Sequence, residues 1–249
     1  MVFVVALLGA SVASAQTSPV VVGADEGSRM RPIARMVGSR WMATCEVPTP
    51  PAVRRGTPQR PAVVASGDTV IDAIRYVPRG GKEWQQIEAA VRTVFLQRET
   101  QQNVAPATLG RVAIDVETLS TGGPAGSSSI YYFRASKTVH DSRAENISSE
   151  EADVDPPGDL RIEVIGWLRA AADRVTPLGT NATLSWQQVE DRPVSGTRRS
   201  VLTPIGILRS PAGTVWVMQD HVGDGSWFAL YDVGAGGVRM IMRSDSVEC

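Results

Sequence analysis

This 249-residue sequence has few of the residues on which catalysis and metal binding usually depend. It contains two histidines, two cysteines and, among its 25 basic residues, only two lysines. A histidine-rich zinc site is therefore excluded by count, because such sites need three or four ligands. Neither a Gly-x-Ser-x-Gly nucleophile turn nor a Gly-x-x-x-x-Gly-Lys phosphate loop occurs. We accordingly expect no metal and no cofactor. The formal net charge of −1 gives no indication of a nucleic-acid partner.

The longest apolar run lies at the amino terminus, where Val2 to Leu8 are almost all large and apolar. A transmembrane helix needs about 20 such residues, and this run is shorter. Ala13-Ser14-Ala15 follows it, with the small residues that a signal peptidase reads, although no basic residue precedes the run. The sequence predicts a cleavable signal peptide over residues 1–15. The mature protein is then secreted or periplasmic and has no transmembrane span.

The two cysteines are Cys45 and Cys249. In an oxidising compartment two lone cysteines most often pair, so the sequence predicts a disulfide between them. A reactive free thiol is the alternative, and no histidine or basic cluster lies nearby in the sequence to activate it.

Residues 16–63 are rich in proline and arginine, with seven arginines against three acidic residues. This composition predicts an extended, mobile tail, which is either a linker or a basic segment for an anionic surface. Its exception is the stretch 41–47, whose alternation predicts a short strand that carries Cys45.

One amphipathic helix is predicted from Glu83 to Arg98. Its apolar residues recur at helical spacing and trace one face. They are Trp84, Ile87, Val91, Val94 and Phe95.

From Arg111 onward apolar residues alternate with polar ones, and Gly- and Pro-containing turns separate the segments. The sequence predicts an α+β, mostly β fold: a globular domain over 64–249, with an antiparallel β-meander of six or more strands over 159–249. Pro204 predicts a bulge or an edge in its strand. A turn is predicted at Leu178 to Asn181.

The densest polar cluster in the meander is Asp220-His221-Val222-Gly223-Asp224. It could perform acid–base chemistry at a strand end, with His221 acting together with Asp220 or Asp224. The alternative is a hairpin loop in which Asp and Gly set the turn geometry.

Two further carboxylate groups have a functional and a structural interpretation. Asp115 and Glu117 share one face of a strand, which is typical either of a carboxylate pair that cleaves glycosides or of a solvent-exposed strand face. The stretch 141–159 holds seven acidic residues and one arginine, which is typical either of a calcium-binding loop or of a solvated loop without a ligand.

Trp216 and Trp227 fall on neighbouring predicted strands and could meet across them. They are candidates for ligand binding, as exposed aromatic residues are in sugar-binding modules, or for core packing. The sequence as a whole favours an exported, non-catalytic binding or envelope-associated module for an unknown ligand or protein partner. The alternative is an extracellular hydrolase that uses His221 with Asp220 or Asp224. The hydrolase hypothesis requires Asp220, His221 and Asp224 to converge in one pocket, whereas the binding-module hypothesis does not.

Overall fold

The computed structural model describes residues 20–27, 29–48, 62–66, 69–101, 112–122, 128–139, 158–171, 174–188, 200–210, 213–222, 225–234 and 236–244. The predicted signal peptide, Cys249 and residues 141–157 of the acidic loop lie outside these ranges. The secondary-structure elements in chain order are β1 (Val21–Asp25), β2 (Met30–Val37), β3 (Arg40–Ala43), β4 (Ala62–Ala65), β5 (Val70–Asp72), β6 (Arg75–Tyr76), α1 (Lys82–Gln101), β7 (Asp115–Gly122), β8 (Ser128–Val139), β9 (Gly158–Ala171), β10 (Arg174–Gln188), β11 (Ser200–Ser210), β12 (Gly213–Val222), β13 (Gly225–Gly234) and β14 (Gly237–Ser244). Over the described ranges, none of the helical structure is both long and apolar enough to traverse a bilayer.

The strands form three antiparallel sheets. The N-terminal sheet has the order β3-β2-β1-β4, the helix-backed sheet β10-β9-β8-β7-β6 and the middle sheet β14-β13-β12-β11-β5. The predicted fold class, mostly antiparallel β with one helix, is confirmed. The prediction of one continuous meander is wrong in its connectivity, because β9 and β10 complete the helix-backed sheet through β8. The strands β7 to β10 run as one meander in the helix-backed sheet, and β11 to β14 run as another in the middle sheet.

The helix α1 extends from Lys82 to Gln101, close to the predicted 83–98. Its buried residues are the five apolar residues that the helical spacing selected. They pack on one face of the helix-backed sheet against side chains that include Leu119, Phe133 and Leu168. The apolar face of α1 thus covers one face of this sheet.

Ion pairs tie both ends of α1 to the strands beneath it. Lys137 of β8 places Nζ 2.8 and 2.9 Å from the two carboxylate oxygens of Glu99. Near the start of the helix, Arg75 donates two hydrogen bonds to Glu83, at 2.6 and 2.9 Å. These bonds from Arg75 are the main reason that the pKa of Glu83 lies below its usual value.

The middle sheet lies between the other two sheets. Trp216, Ile207 and Val233 on one of its faces pack against Tyr132 and Trp167 of the helix-backed sheet. Its opposite face packs against the N-terminal sheet, through side chains that include Val217, Leu230, Val22 and Ile33. Since every sheet has at least one apolar face, stacking in this order buries all three.

The predicted mobile tail over 16–63 is wrong for the part that the structure describes, because β1, β2 and β3 lie within it. Apolar side chains on β1 and β2 are buried against the middle sheet. The high proline and arginine content of this region gave no indication of that burial. The β1–β2 pairing shifts register next to Pro32, where a bulge accommodates the missing N–H. Residues 49–61 of the predicted tail lie outside the described ranges.

Two strands contain a Pro-x-Gly bulge. The β11–β12 register shifts between Pro204 and Gly206, as predicted. The β9–β10 register shifts between Pro177 and Gly179, so the turn predicted at 178–181 is wrong and this stretch lies inside β10. At both bulges the glycine allows close packing: a Cβ on Gly206 would lie 2.6 Å from Val63 Cγ2.

The short strand predicted near 41–47 is observed as β3, Arg40–Ala43. Cys45 follows it at the surface. The edge strand β3 of the N-terminal sheet contacts the edge strand β14 of the middle sheet. The chain that precedes Cys45 and the chain that leads toward Cys249 are therefore neighbours.

Candidate functional site

The structure does not bring the predicted acid–base residues together. Asp220 and His221 are consecutive residues of β12, so their side chains lie on opposite faces of the middle sheet. Asp220 shares a face with Trp216, which contacts the helix-backed sheet, whereas His221 is exposed on the other face. Asp224 lies outside the described residues.

The cross-strand neighbour of His221 is Ser226 of β13. Ser226 is held by Arg31 of β2, whose guanidinium donates to the serine Oγ at 2.8 Å and to its carbonyl at 2.5 Å. The same guanidinium lies 5.2 Å from the Phe228 ring centroid. This contact fastens the N-terminal sheet to the middle sheet. Sequence reasoning missed it because Arg31 was assigned to a tail.

Trp216 and Trp227 lie on adjacent strands but are not cross-strand partners. Trp216 is fully buried opposite Tyr231, and Trp227 lies opposite Asp220. Trp216 is thus a core residue. Trp227 is partly exposed, and the Arg243 guanidinium lies 5.6 Å from its ring centroid.

Three aromatic rings fill the interface between the middle and helix-backed sheets. Tyr132 and Trp167 meet edge to face at 5.2 Å, and Trp167 and Tyr231 lie 5.0 Å apart. The Tyr132 hydroxyl donates a 2.6 Å hydrogen bond to the Leu202 carbonyl across the interface. Trp167 is 5% exposed, and its Nε1 has no acceptor among the described residues.

Next to these rings lies a group of charged side chains, which we call the arginine–glutamate cluster: Arg134, Arg161, Glu117, Glu163 and Ser136. Arg134 Nε lies 2.7 Å from Glu163 and 3.1 Å from Glu117. Arg161 Nη2 donates to Glu117 and lies 3.5 Å from Glu163. Ser136 Oγ donates to Glu117 at 2.6 Å. Arg134, Ser136 and Glu163 are buried.

The predicted carboxylate pair Asp115 and Glu117 does not share a site. The β7–β8 register shifts between Val116 and Thr118, so a bulge at Glu117 breaks the alternation of the strand. Asp115 is exposed and pairs with Arg79 at 2.8 Å. Glu117 instead joins the arginine–glutamate cluster.

The cluster lies at the interface with the middle sheet. Arg134 is two residues from Tyr132 on β8, and Glu163 is four residues from Trp167 on β9, so all four share a face. Burial raises the pKa of Tyr132 far above its ordinary value; the charge of Arg134 opposes this shift, and the charges of Glu163 and Asp220 add to it. Both sheets therefore direct charged groups at the same end of this interface.

We call this end the interlayer site, formed by the arginine–glutamate cluster with Tyr132, Trp167, Asp220 and Trp227. Two more buried donors belong to it: the Nε atom of Arg161 and the Nε1 atom of Trp227 find no acceptor within the described part of the chain. Asp220 lies 3.8 Å from Arg243. The described ranges contain no group of three or more His, Cys, Asp or Glu residues that could hold a metal.

Comparison with known proteins gives no matching family model, no matching curated protein and no matching solved structure.

Proposed function

We propose that this chain is an exported, non-catalytic binding module that holds its ligand at the interlayer site. The observation that carries the proposal is a set of buried hydrogen-bond donors without acceptors among the described residues: Trp167 Nε1, Trp227 Nε1 and Arg161 Nε. Leaving a buried donor unpaired costs about 1–3 kcal/mol, so such groups are rare and call for a partner. A bound ligand that brings acceptors supplies one.

The rigidity of the surroundings supports the same function. The site is built on β7, β8, β9, β12 and β13, all of which are paired within sheets. The helix α1 backs one of these sheets and the N-terminal sheet backs the other. Side chains on paired strands with a layer behind them keep their geometry better than side chains on loops.

The hydrolase alternative finds less support. It requires His221 to act with Asp220 or Asp224, and the first two point to opposite faces of β12. General acid–base partners must lie within hydrogen-bonding reach of each other or of the same substrate atom.

A thermal-shift screen of the mature protein tests the binding function. The probes are saccharides, amino acids, dicarboxylates and nucleotides, each at millimolar concentration. A ligand at a hundredfold excess over its Kd stabilises the protein by about 2.7 kcal/mol. We expect at least one probe to raise Tm in the wild type and in Trp84→Phe, but less in Trp227→Phe. Trp84 is the matched control because its Nε1 already donates to Glu88 at 2.9 Å.

Two further measurements bear on the proposal. Turnover of ester or glycoside substrates that is lost in His221→Ala would contradict a non-catalytic function. For export, we expect N-terminal sequencing of material recovered outside the cytoplasm to begin at Gln16, and an intact Met1 on cytoplasmic protein would contradict it.

A further inference from the structure

Methionine is concentrated where the N-terminal sheet meets the middle sheet. Five of the seven methionines lie on the strands β2, β3 and β14, although these strands are a small part of the chain. They are Met30, Met36, Met42, Met240 and Met242. The edge strands β3 and β14 contact each other here. We infer that this junction is a site of reversible methionine oxidation, in which surface methionines react first and a partly buried one, when oxidised, weakens the contact between the two sheets.

Two of these methionines present their side chains to solvent. Met42 of β3 is 49% exposed, and Met240 of β14 is 53% exposed. A thioether is oxidised where an oxidant reaches its sulfur atom, so exposure sets the order of reaction. Met218 of β12 is fully buried and provides the contrasting case within the same chain. We therefore expect Met42 and Met240 to react well before Met218.

The reaction requires only a peroxide from the surroundings of the protein. A lone pair of the methionine sulfur attacks one oxygen of hydrogen peroxide, so that an S–O bond forms and the O–O bond breaks. The sulfur is oxidised and the peroxide is reduced. The leaving hydroxide takes up the proton of the transferred oxygen and becomes water. The product is a sulfoxide, which methionine sulfoxide reductases convert back to the thioether.

The partly buried Met242 makes the junction sensitive to this reaction. It lies opposite Leu230 in the β13–β14 pairing and packs against the core that joins the N-terminal and middle sheets. Trp41 of β3 packs against the same core. A sulfoxide at Met242 would place a polar oxygen in an apolar contact, whereas at Met42 or Met240 it meets water. Oxidation of the two surface methionines should therefore leave the fold intact, and oxidation of Met242 should weaken the contact between the sheets.

Timed treatment of the full mature chain with hydrogen peroxide, followed by proteolysis and mass spectrometry, tests the inference. We expect Met42 and Met240 to gain an oxygen atom first, Met242 later, and Met218 only once the protein unfolds. Urea unfolding should show an unchanged midpoint after the first step and a lower midpoint after the second. Met242→Leu, which conserves the apolar character and approximate volume of the side chain, should remove the second effect and keep the first.

Control variants and a second measurement keep the test decisive. A double variant with Met42→Leu and Met240→Leu should lose the rapid phase of peroxide consumption, whereas Met218→Leu should keep it. Equal oxidation rates at Met42, Met240 and Met218 would overturn the inference, and so would an equal fall of the midpoint in oxidised wild type and oxidised Met242→Leu. If Met242→Leu does not fold, hydrogen exchange of the oxidised wild type decides the role of Met242. The strands β3 and β14 should then lose protection while α1 keeps it, and equal losses in all three would overturn that role.

Discussion

Replacing Tyr132 with Phe removes one oxygen atom from the interface between the helix-backed and middle sheets. The wild-type side chain is buried, and its hydroxyl donates a 2.6 Å hydrogen bond to the Leu202 carbonyl. The ring of Phe fills the same space, so no cavity forms, but the carbonyl loses its donor. An unsatisfied buried acceptor costs about 1–3 kcal/mol, and we expect Tyr132→Phe to lower the free energy of unfolding at pH 7 by that amount.

The same substitution changes how stability depends on pH. Burial raises the pKa of Tyr132 above the value of about 10 that the unfolded chain has. The stabilisation from the raised pKa is fully present below pH 10 and is lost as pH rises above it, because only the unfolded state then releases the proton. The loss is about 1.4 kcal/mol per pH unit for this one group. Phe cannot ionise, so the stability gap between wild type and variant should narrow above pH 10.

Urea unfolding monitored by tryptophan fluorescence at pH 7, 9, 10 and 11 measures this gap. Tyr76→Phe is the control, because that side chain is 44% exposed and forms part of the short edge strand β6. Its effect at pH 7 should be small, and because partial burial also raises the pKa of Tyr76, we expect some narrowing above pH 10 that is smaller than for Tyr132→Phe. A gap for Tyr132→Phe that stays constant from pH 7 to pH 11 would refute the reasoning, and so would an equal narrowing for Tyr76→Phe.

Three more substitutions test other parts of the fold. The hydrogen bonds from Arg75 lower the pKa of Glu83 in the folded state. The ionised Glu83 therefore stabilises the fold above about pH 4.3, and this contribution is lost as pH falls below that value. We expect the free energy of unfolding of Glu83→Gln to vary less between pH 5 and 3 than that of the wild type, as measured by chemical denaturation. Glu99→Gln removes the carboxylate that pairs with the buried Lys137 ammonium and should lower the free energy of unfolding by about 3–5 kcal/mol in chemical denaturation, whereas the double variant Glu99→Leu with Lys137→Met should lower it less. The predicted Cys45–Cys249 disulfide should leave no titratable thiol in unfolded, unreduced protein, and two free thiols would contradict it. Reduction of this disulfide should lower the free energy of unfolding by about 2–5 kcal/mol.

Local patterns in the sequence were sufficient to predict the helix and the final hairpins. The 3.6-residue spacing from Trp84 to Phe95 selects the side chains that α1 buries. The Gly-rich turn before β14 is observed as a hairpin with Gly237 at a φ of 116°. In both cases neighbours in the sequence set the conformation, so the pattern contains the necessary information.

The N-terminal sheet could not be predicted because its stability comes from distant partners. β1 buries Val22 and Ala24 against Val217 and Leu230, which lie about 200 positions further along the chain. Composition alone described this region as proline- and arginine-rich. Packing on the middle sheet overrides that tendency, and arginines such as Arg31 reach across to bind it.

The site residues were missed for a related reason. Arg134, Glu163 and Glu117 come from three strands that are each followed or preceded by long connections, and charged residues on a strand usually indicate a solvated face. Only the stacking of a second sheet turns that face into an interface. The sequence-derived candidates, by contrast, were neighbours in the sequence, and on a strand consecutive side chains such as Asp220 and His221 diverge.

The arginine–glutamate cluster is an unusual feature for a three-sheet stack that already buries large apolar surfaces. A buried group of ion pairs contributes little net stability, because the cost of removing the charges from water offsets most of their attraction. Apolar side chains at the same positions would extend the core formed by Tyr132, Trp167 and Trp216 without that cost. Stability therefore does not explain why the polar end of this interface has two arginines, two glutamates and two indole N–H groups that find no acceptor among the described residues. The proposed recognition of a polar molecule would explain it, because the pairs hold each other in place while the remaining donors stay available to a ligand.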